Sequence, residues 1–193
     1  MASRLALFTG VAALAASVTA LAADVSGVKF ASKAEVQGTQ LALNGAGLRR
    51  KFIFKVYAMA LYLPAKTDSA PAAIDASGPK RIEIGMLRDV GAKTFSDALR
   101  EGIDDNNSAP QAKAVEPQLK QLEAVMQKVG TAKEGMRIRL DWLPGTGTRV
   151  SIDGAPADAP IPGEDFYRAL LRIWLGPDPV QSDLKRALLS AKD

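Results

Sequence analysis

Residues 51–63, KFIFKVYAMALYL, are the stretch that most limits how this chain can fold. Read at the two-residue period of a strand, Phe52, Phe54, Val56, Ala58, Ala60 and Tyr62 fall on one side. Ile53, Tyr57, Met59, Leu61 and Leu63 share the other side with Lys55. Apolar residues on both sides predict a central strand covered on both faces. Pro64 ends it, because a proline cannot donate to the ladder.

The flanking sequence supplies further elements. Val28 to Phe30 and Thr39 to Leu43 read as short early strands, followed by a turn signal at Asn44-Gly45-Ala46-Gly47. Residues 65–79 read as a loop with room for one helical turn, and residues 81–88, RIEIGMLR, as a strand. Thr94 opens a helix, with Asp97 completing a variant capping box. Its face is Phe95, Ala98, Leu99, Gly102 and Ile103, and the polar run Asp104-Asp105-Asn106-Asn107 ends it in solvent. A second helix is expected from Glu116 to Val129, with Gly130 as its stop. Residues 136–143 and 148–152 form a hairpin through Pro144-Gly145-Thr146-Gly147. That turn lacks the Lys and the helix of a phosphate loop. After a Pro- and Gly-rich loop, Phe166 to Leu175 is an amphipathic helix closed by Gly176-Pro177. Ser182 caps a last helix over residues 183–189. Phe166 and Trp174 read as core, and Glu164 and Asp165 as acids suited to a helix N-terminus.

The first residues have a different character. Arg4 is the one cation before an uncharged, mostly apolar run from Leu5 to Ala16. Small residues follow at Ala20-Leu21-Ala22-Ala23, before Asp24. This is the pattern of a secretory signal with an A-x-A cleavage site, and it is too short and too interrupted to span a bilayer. The expected organisation is a signal peptide over residues 1–22 and one domain over residues 23–193, with a periplasmic or secreted location and no stable membrane span after cleavage. A domain of that size buries about 70% of its unfolded surface, enough for one core without disulfides. None can form, since the chain has no Cys. It also has no His. Zinc sites, Ser-His-Asp triads and Cys-His dyads are therefore excluded, and neither a metal nor a cofactor is expected. The net charge of +4 is mild and no long basic run is present, which argues against nucleic acid.

Three stretches together resemble one family: residues 43–64, LNGAGLRRKFIFKVYAMALYLP; residues 93–103, KTFSDALREGI; and residues 166–189, FYRALLRIWLGPDPVQSDLKRALL. They are similar to the chalcone isomerase family, and within it to bacterial exported members. The resemblance implies an α+β fold, an open-faced β-sandwich in which a curved, mostly antiparallel sheet packs against a layer of helices. In plant members an Arg of the Gly-Ala-Gly-x-Arg segment steers a phenolate nucleophile, which implies Arg49 here, with Arg50 as the neighbouring candidate. The position of a ketone-polarising Thr corresponds to Tyr57. A Tyr and an Asn of the plant site correspond to Phe95 and Gly102, and a Ser or Thr before the Leu-Gly step to Ile173. Only the cation is kept clearly, so most catalytic polar positions are replaced.

An apolar pocket with one guanidinium suits an amphipathic anion, because Arg pairs a carboxylate through two parallel hydrogen bonds. The resemblance also extends to the noncatalytic fatty-acid-binding branch. The function placed first is therefore binding of a fatty acid or similar amphipathic anion at Arg49, Arg50 and Tyr57, with Phe95, Gly102 and Ile173 lining the pocket. Two alternatives stay open: an isomerase acting on a substrate other than a chalcone, and a protein-interaction module without a pocket. Each residue also has a plainer explanation. The basic triplet at 49–51 can be a solvated strand entrance, and Tyr57 a core aromatic whose hydroxyl is satisfied by backbone.

Overall fold

The computed structural model describes residues 21–190. The leader expected over residues 1–22 lies outside the described residues, apart from Leu21 and Ala22, which begin the first strand. In chain order the elements are β1 (Leu21–Val25), β2 (Val28–Ala31), β3 (Lys33–Val36), β4 (Thr39–Lys51), β5 (Phe54–Leu63), α1 (Ala70–Asp75), β6 (Lys80–Met86), β7 (Val90–Gly91) and α2 (Ala92–Asn106). There follow α3 (Ala109–Val129), β8 (Thr131–Ala132), β9 (Arg137–Leu143), β10 (Gly147–Ile152), β11 (Ala155–Pro156), α4 (Glu164–Leu175) and α5 (Ser182–Leu188). The main sheet has the order β11-β10-β9-β6-β5-β4-β3, and every pairing in it is antiparallel. It is a curved, open-faced sheet with helices on one face, as the resemblance implied.

Strand β5 is covered on both faces. Met59, Leu61 and Leu63 join Ile82 and Ile84 of β6 and Ile138 and Leu140 of β9 in the main core, beneath α2, α3 and α4. Ala58, Ala60 and Tyr62 point the other way, into a smaller cluster with Phe30, Val36 and Leu41. The β1–β2 hairpin lies over that second face. The Tyr62 hydroxyl donates to Ala31 O at 3.1 Å, and Arg137 donates to Lys29 O at 2.9 Å. Farther along the same face, β6 and β9 carry charge. Arg81 makes a paired contact with Asp141 at 2.6 and 2.7 Å, and Glu83 meets Arg137 and Arg139 at 3.2 and 3.4 Å. A fully buried Leu, Ile or Phe contributes about 1.5–3 kcal/mol, whereas the desolvation of the nearly buried Arg81–Asp141 pair offsets most of its Coulomb attraction, and the more exposed pairs contribute about 0–1 kcal/mol. The helix side therefore carries most of the stability.

Several boundaries differ from the sequence pattern, each for a physical reason. Residues 51–63 are not one strand. Lys51 and Phe54 are partners across a two-residue turn, so Phe52 and Ile53 form a hairpin tip. Nor is Asn44-Gly45-Ala46-Gly47 a turn: it lies inside β4, at a register shift between Leu43 and Gly45. The glycines are there because α5 comes too close for a side chain. A Cβ on Gly45 would stand 2.2 Å from Ala187 O, and one on Gly47 would stand 2.7 Å from Ala187 Cβ. Asn44 fastens the same contact. Its amide donates to Leu188 O at 2.7 Å and Thr67 O at 3.0 Å, and its oxygen accepts from Thr67 N at 2.7 Å.

The helix ends differ as well. Helix α2 begins at Ala92, after Gly91, because Ala92 N donates to Gly130 O at 2.7 Å and the β7–β8 bridge holds its entry. Helix α3 begins at Ala109, where Ser108 and Gln111 form a capping box, and Pro117 stands inside it on an exposed turn. Ser182 does not cap α5. Gln181 holds the cap position but makes no side-chain cap bond, having turned its amide toward β4. Asn106 does not end α2 in solvent. It is buried, donates to Asp178 O at 2.7 Å and accepts from Asp178 N at 2.9 Å.

The β4–α5 contact gives a direct test. Gly45→Ala forces a methyl group into a backbone carbonyl that no rotamer change can move, and should cost about 3 kcal/mol or more in urea unfolding. Gly91→Ala, where nothing lies within 4 Å, should cost less than about 1 kcal/mol. Equal losses would sink the packing explanation for Gly45.

Candidate functional site

Near its tip, the β4–β5 hairpin contains a second register shift, between Arg49 and Arg50. Arg49 lies opposite Tyr57 and Arg50 opposite Lys55, and the Arg49 side chain lies on the helix side, beside Tyr57 and Gln181. A bulge leaves backbone groups unpaired, and here Gln181 satisfies them. Its Oε1 accepts from Arg50 N at 2.7 Å, and its Nε2 donates to Leu48 O at 3.1 Å. The Arg49 guanidinium folds back to donate to Arg50 O, with Gln181 Oε1 at 3.5 Å. Among the described residues no carboxylate pairs with Arg49.

Tyr57 sits beside this guanidinium. Its hydroxyl oxygen accepts a hydrogen bond from the Trp174 indole N–H, at 2.8 Å, across from α4. Burial pushes its pKa up; the Trp174 donor and the positive, donating Arg49 partly offset that. The other two tyrosines behave differently. Tyr62 donates to Ala31 O and Tyr167 to Leu140 O, at 3.1 and 3.0 Å. The partners of Tyr57, Trp174 and Arg49, are both donors, so its own proton remains for a further acceptor. The plainer explanation of Tyr57, a core aromatic satisfied by backbone, fits Tyr62 and Tyr167 instead.

Gly102 and Ile173 meet each other at the α2–α4 crossing. A Cβ on Gly102 would come within 2.8 Å of Ile173 Cγ2, so the glycine admits the isoleucine. Ile173 is buried in the main core, and both Phe95 and Tyr57 pack against that core while only partly buried. Five of the six residues singled out in the sequence thus form two groups, and Phe95 stands apart at the edge of the main core. Arg49 and Tyr57 adjoin, with Arg50 exposed at their side; Gly102 and Ile173 adjoin, one residue before Trp174 along α4. Trp174 is core, as its spacing predicts, and its indole N–H also reaches Tyr57; Gln181, in the same segment at 166–189, carries no pattern that marks it. No spacing rule could link either of them to residues more than a hundred positions away.

Two surface cavities lie elsewhere. The larger, about 570 Å³, runs along the outer side of α5 past Asp68, Pro177, Lys185 and Leu189. The smaller, about 160 Å³, is bounded by Asn107, Gln111, Asp165 and Arg172. Neither touches the six residues, and between Gly102 and Ile173 the interior is filled. Among the described residues no cluster of three or more His, Cys, Asp or Glu is placed to hold a metal ion. No described helix is long and apolar enough to cross a membrane. Arg49 and Tyr57 set a guanidinium beside a phenol held in its protonated form, both groups able to donate to an anion or a carbonyl oxygen.

Comparison with known proteins places this geometry in context. A family model described as chalcone isomerase-like matches residues 22–190. The fold is similar to the crystal structure of a fatty-acid binding protein of Arabidopsis thaliana, with a TM-score of 0.68 and 15% identity, over 85% of this chain and 92% of that one. A search of curated proteins finds no significant match.

The tyrosines supply a spectroscopic prediction. The chain contains three, and all have pKa values raised by burial. A raised folded-state value favours the protonated phenol. The stability this provides is complete below the unfolded pKa of about 10 and is lost as pH rises past it. In an alkaline titration, phenolate absorbance should lag that of free tyrosine and rise together with loss of the circular dichroism signal. Ionisation of a tyrosine near pH 10 in the folded protein would contradict this.

Proposed function

We propose, from the premise that this chain belongs to the chalcone isomerase-like family, that it is an exported binder of a fatty acid or similar amphipathic anion. The observation that carries this reading is the Arg49–Tyr57–Trp174 cluster. Arg49 offers a cation with no carboxylate partner among the described residues, and beside it stands the Tyr57 hydroxyl, whose partners Trp174 and Arg49 are both donors. A carboxylate needs donors from two directions, and charge-assisted hydrogen bonds of this kind are about twice as strong as neutral ones. Arg49 rather than Arg50 takes the headgroup, because Arg50 is exposed and its backbone is committed to Gln181.

The tail runs inward along the helix face of β5. Met86 lies opposite Tyr57, and Met59 stands two residues along the same strand face. Methionine is the apolar side chain best able to rearrange around a guest, since it is unbranched and polarisable. Entry of the tail requires these two side chains and Ile173 to move aside, because all three are fully packed in the core. The fatty-acid-binding neighbour shares the fold, which supports the reading without assigning the ligand.

A second reading has one observation in its favour. A guanidinium beside a protonated phenol can also stabilise a developing oxyanion, so an isomerase acting on a substrate other than a chalcone uses the same pair. The positions of Phe95, Gly102 and Ile173 provide no further polar group for it.

Native mass spectrometry of delipidated protein with added palmitate separates these outcomes. A single palmitate should bind the wild type, and affinity should fall about tenfold or more in Arg49→Ala. Arg50→Ala should bind nearly as the wild type does, and Tyr57→Phe should weaken binding several-fold. No adduct in any variant would end the binding proposal. Equal loss in Arg49→Ala and Arg50→Ala would point to diffuse charge instead of a defined site.

A further inference from the structure

The hairpin that carries Arg49 and Tyr57 ends in an unusual turn. Lys51 and Phe54 are paired, so Phe52 and Ile53 alone make the loop. Two-residue hairpin loops favour Asn and Gly, because the turn needs positive φ. Here Phe52 takes that conformation, with φ of 54°, although a bulky L residue is strained there. The strain secures no packing: Phe52 and Ile53 are 88% and 84% exposed. Phe54 is 52% exposed and lies under the Arg88 guanidinium, 4.8 Å from ring centre. Among the described residues, these three are the exposed large apolar side chains, and all stand on one tip.

Charge surrounds them. Arg50, Lys51, Lys55 and Arg88 are all exposed, and none has an ion-pair partner among the described residues. The nearest acid in sequence, Asp89, is engaged by Lys133 at 2.7 Å and by the Glu134 backbone N–H at 2.9 Å. The tip is thus a small apolar wedge with a cationic collar.

We infer that this tip docks into the surface of an anionic lipid bilayer, with Phe52 and Ile53 in the headgroup–acyl boundary and the four cations among the lipid phosphates. The shape favours lipid over protein. Three such side chains offer about 500 Å² of surface, well below the about 800 Å² that each partner gives to a stable protein interface. A convex apolar tip with long cationic side chains beside it suits an interface that is apolar below and anionic above. The antiparallel pairing of β4 with β5 keeps the wedge stiff, so insertion orders little new structure.

Docking of this kind has a consequence for the site. Arg49 and Tyr57 stand just behind the tip on the same hairpin, so the anion-binding pair is held at the bilayer surface. An acyl chain can then pass between membrane and protein without crossing water. This consequence rests on the binding function proposed above; the docking itself does not.

Vesicle flotation of the whole protein tests the inference. The wild type should float with phosphatidylcholine vesicles containing about 30% phosphatidylglycerol, at least about tenfold more than with pure phosphatidylcholine, and high salt should release it. The variant Phe52→Gly with Ile53→Asn puts glycine at the one loop position with positive φ and a polar residue beside it, so the hairpin is kept while the wedge is removed. It should lose about tenfold in flotation, with an unchanged circular dichroism spectrum and unchanged palmitate binding in solution. Three results overturn the inference: no flotation of the wild type with anionic vesicles, equal flotation of the tip variant, or a wild-type dimer that the tip variant abolishes while vesicles bind neither. Flotation with no palmitate binding would refute the proposed function and leave the docking standing.

Discussion

The approach of α5 to β4 at Gly45 and Gly47 sets the rest of this architecture. Two glycines remove the side chains that would hold helix and strand apart, and Asn44 then bonds the backbone on both sides of the contact. Because α5 lies so close, Gln181 at its start reaches β4 and satisfies the backbone of the Arg49–Arg50 bulge. That bulge brings Arg49 opposite Tyr57. The position of the candidate site is therefore a consequence of a packing contact several residues away. A buried polar side chain such as Asn44 is costly unless fully bonded, and three hydrogen bonds meet that requirement.

The sheet divides its labour between faces. The helix face is apolar from β5 through β9 and supplies the continuous core. The opposite face changes along its width, from the apolar cluster around Phe30 and Tyr62 to the ion pairs of Asp141 and Glu83. One face provides burial. The other stays partly hydrated and is clamped by the β1–β2 hairpin, where Arg137 also lies over the Phe30 ring. The site at Arg49 and Tyr57 is consequently apolar on its core side and polar toward Gln181 and the exposed Arg50. Its few polar groups, Arg49, Tyr57 and Trp174, act in a medium where hydrogen bonds and charge are strong.

The hairpin joins two properties seldom found close together. Its base carries a guanidinium with no carboxylate partner among the described residues, and its tip carries apolar side chains without cover. Each departs from ordinary stability: a guanidinium without a carboxylate among the described residues, a phenol whose partners are donors, an aromatic at positive φ. Local departures of this kind tend to collect at functional places, since packing elsewhere sustains them.

The residues in chain order account for most of the elements and for the sidedness of the sheet. Alternation in 81–88 and 136–143 marks one apolar and one polar face, and the apolar spacing of α4 marks its buried stripe, because both patterns are local and periodic. The resemblance in three segments pointed to Arg49 and Tyr57. What local pattern could not supply is which glycine marks a turn and which a contact. Asn44-Gly45-Ala46-Gly47 has the composition of a loop, and only the α5 backbone makes it strand. Likewise 51–63 has the alternation of one strand, because apolar residues at a turn look like apolar residues in a ladder. The pairing of Tyr57 with Trp174, and of Arg50 with Gln181, spans more than a hundred residues. Such contacts depend on how helices settle on the sheet, a balance of many packing terms that no single segment encodes.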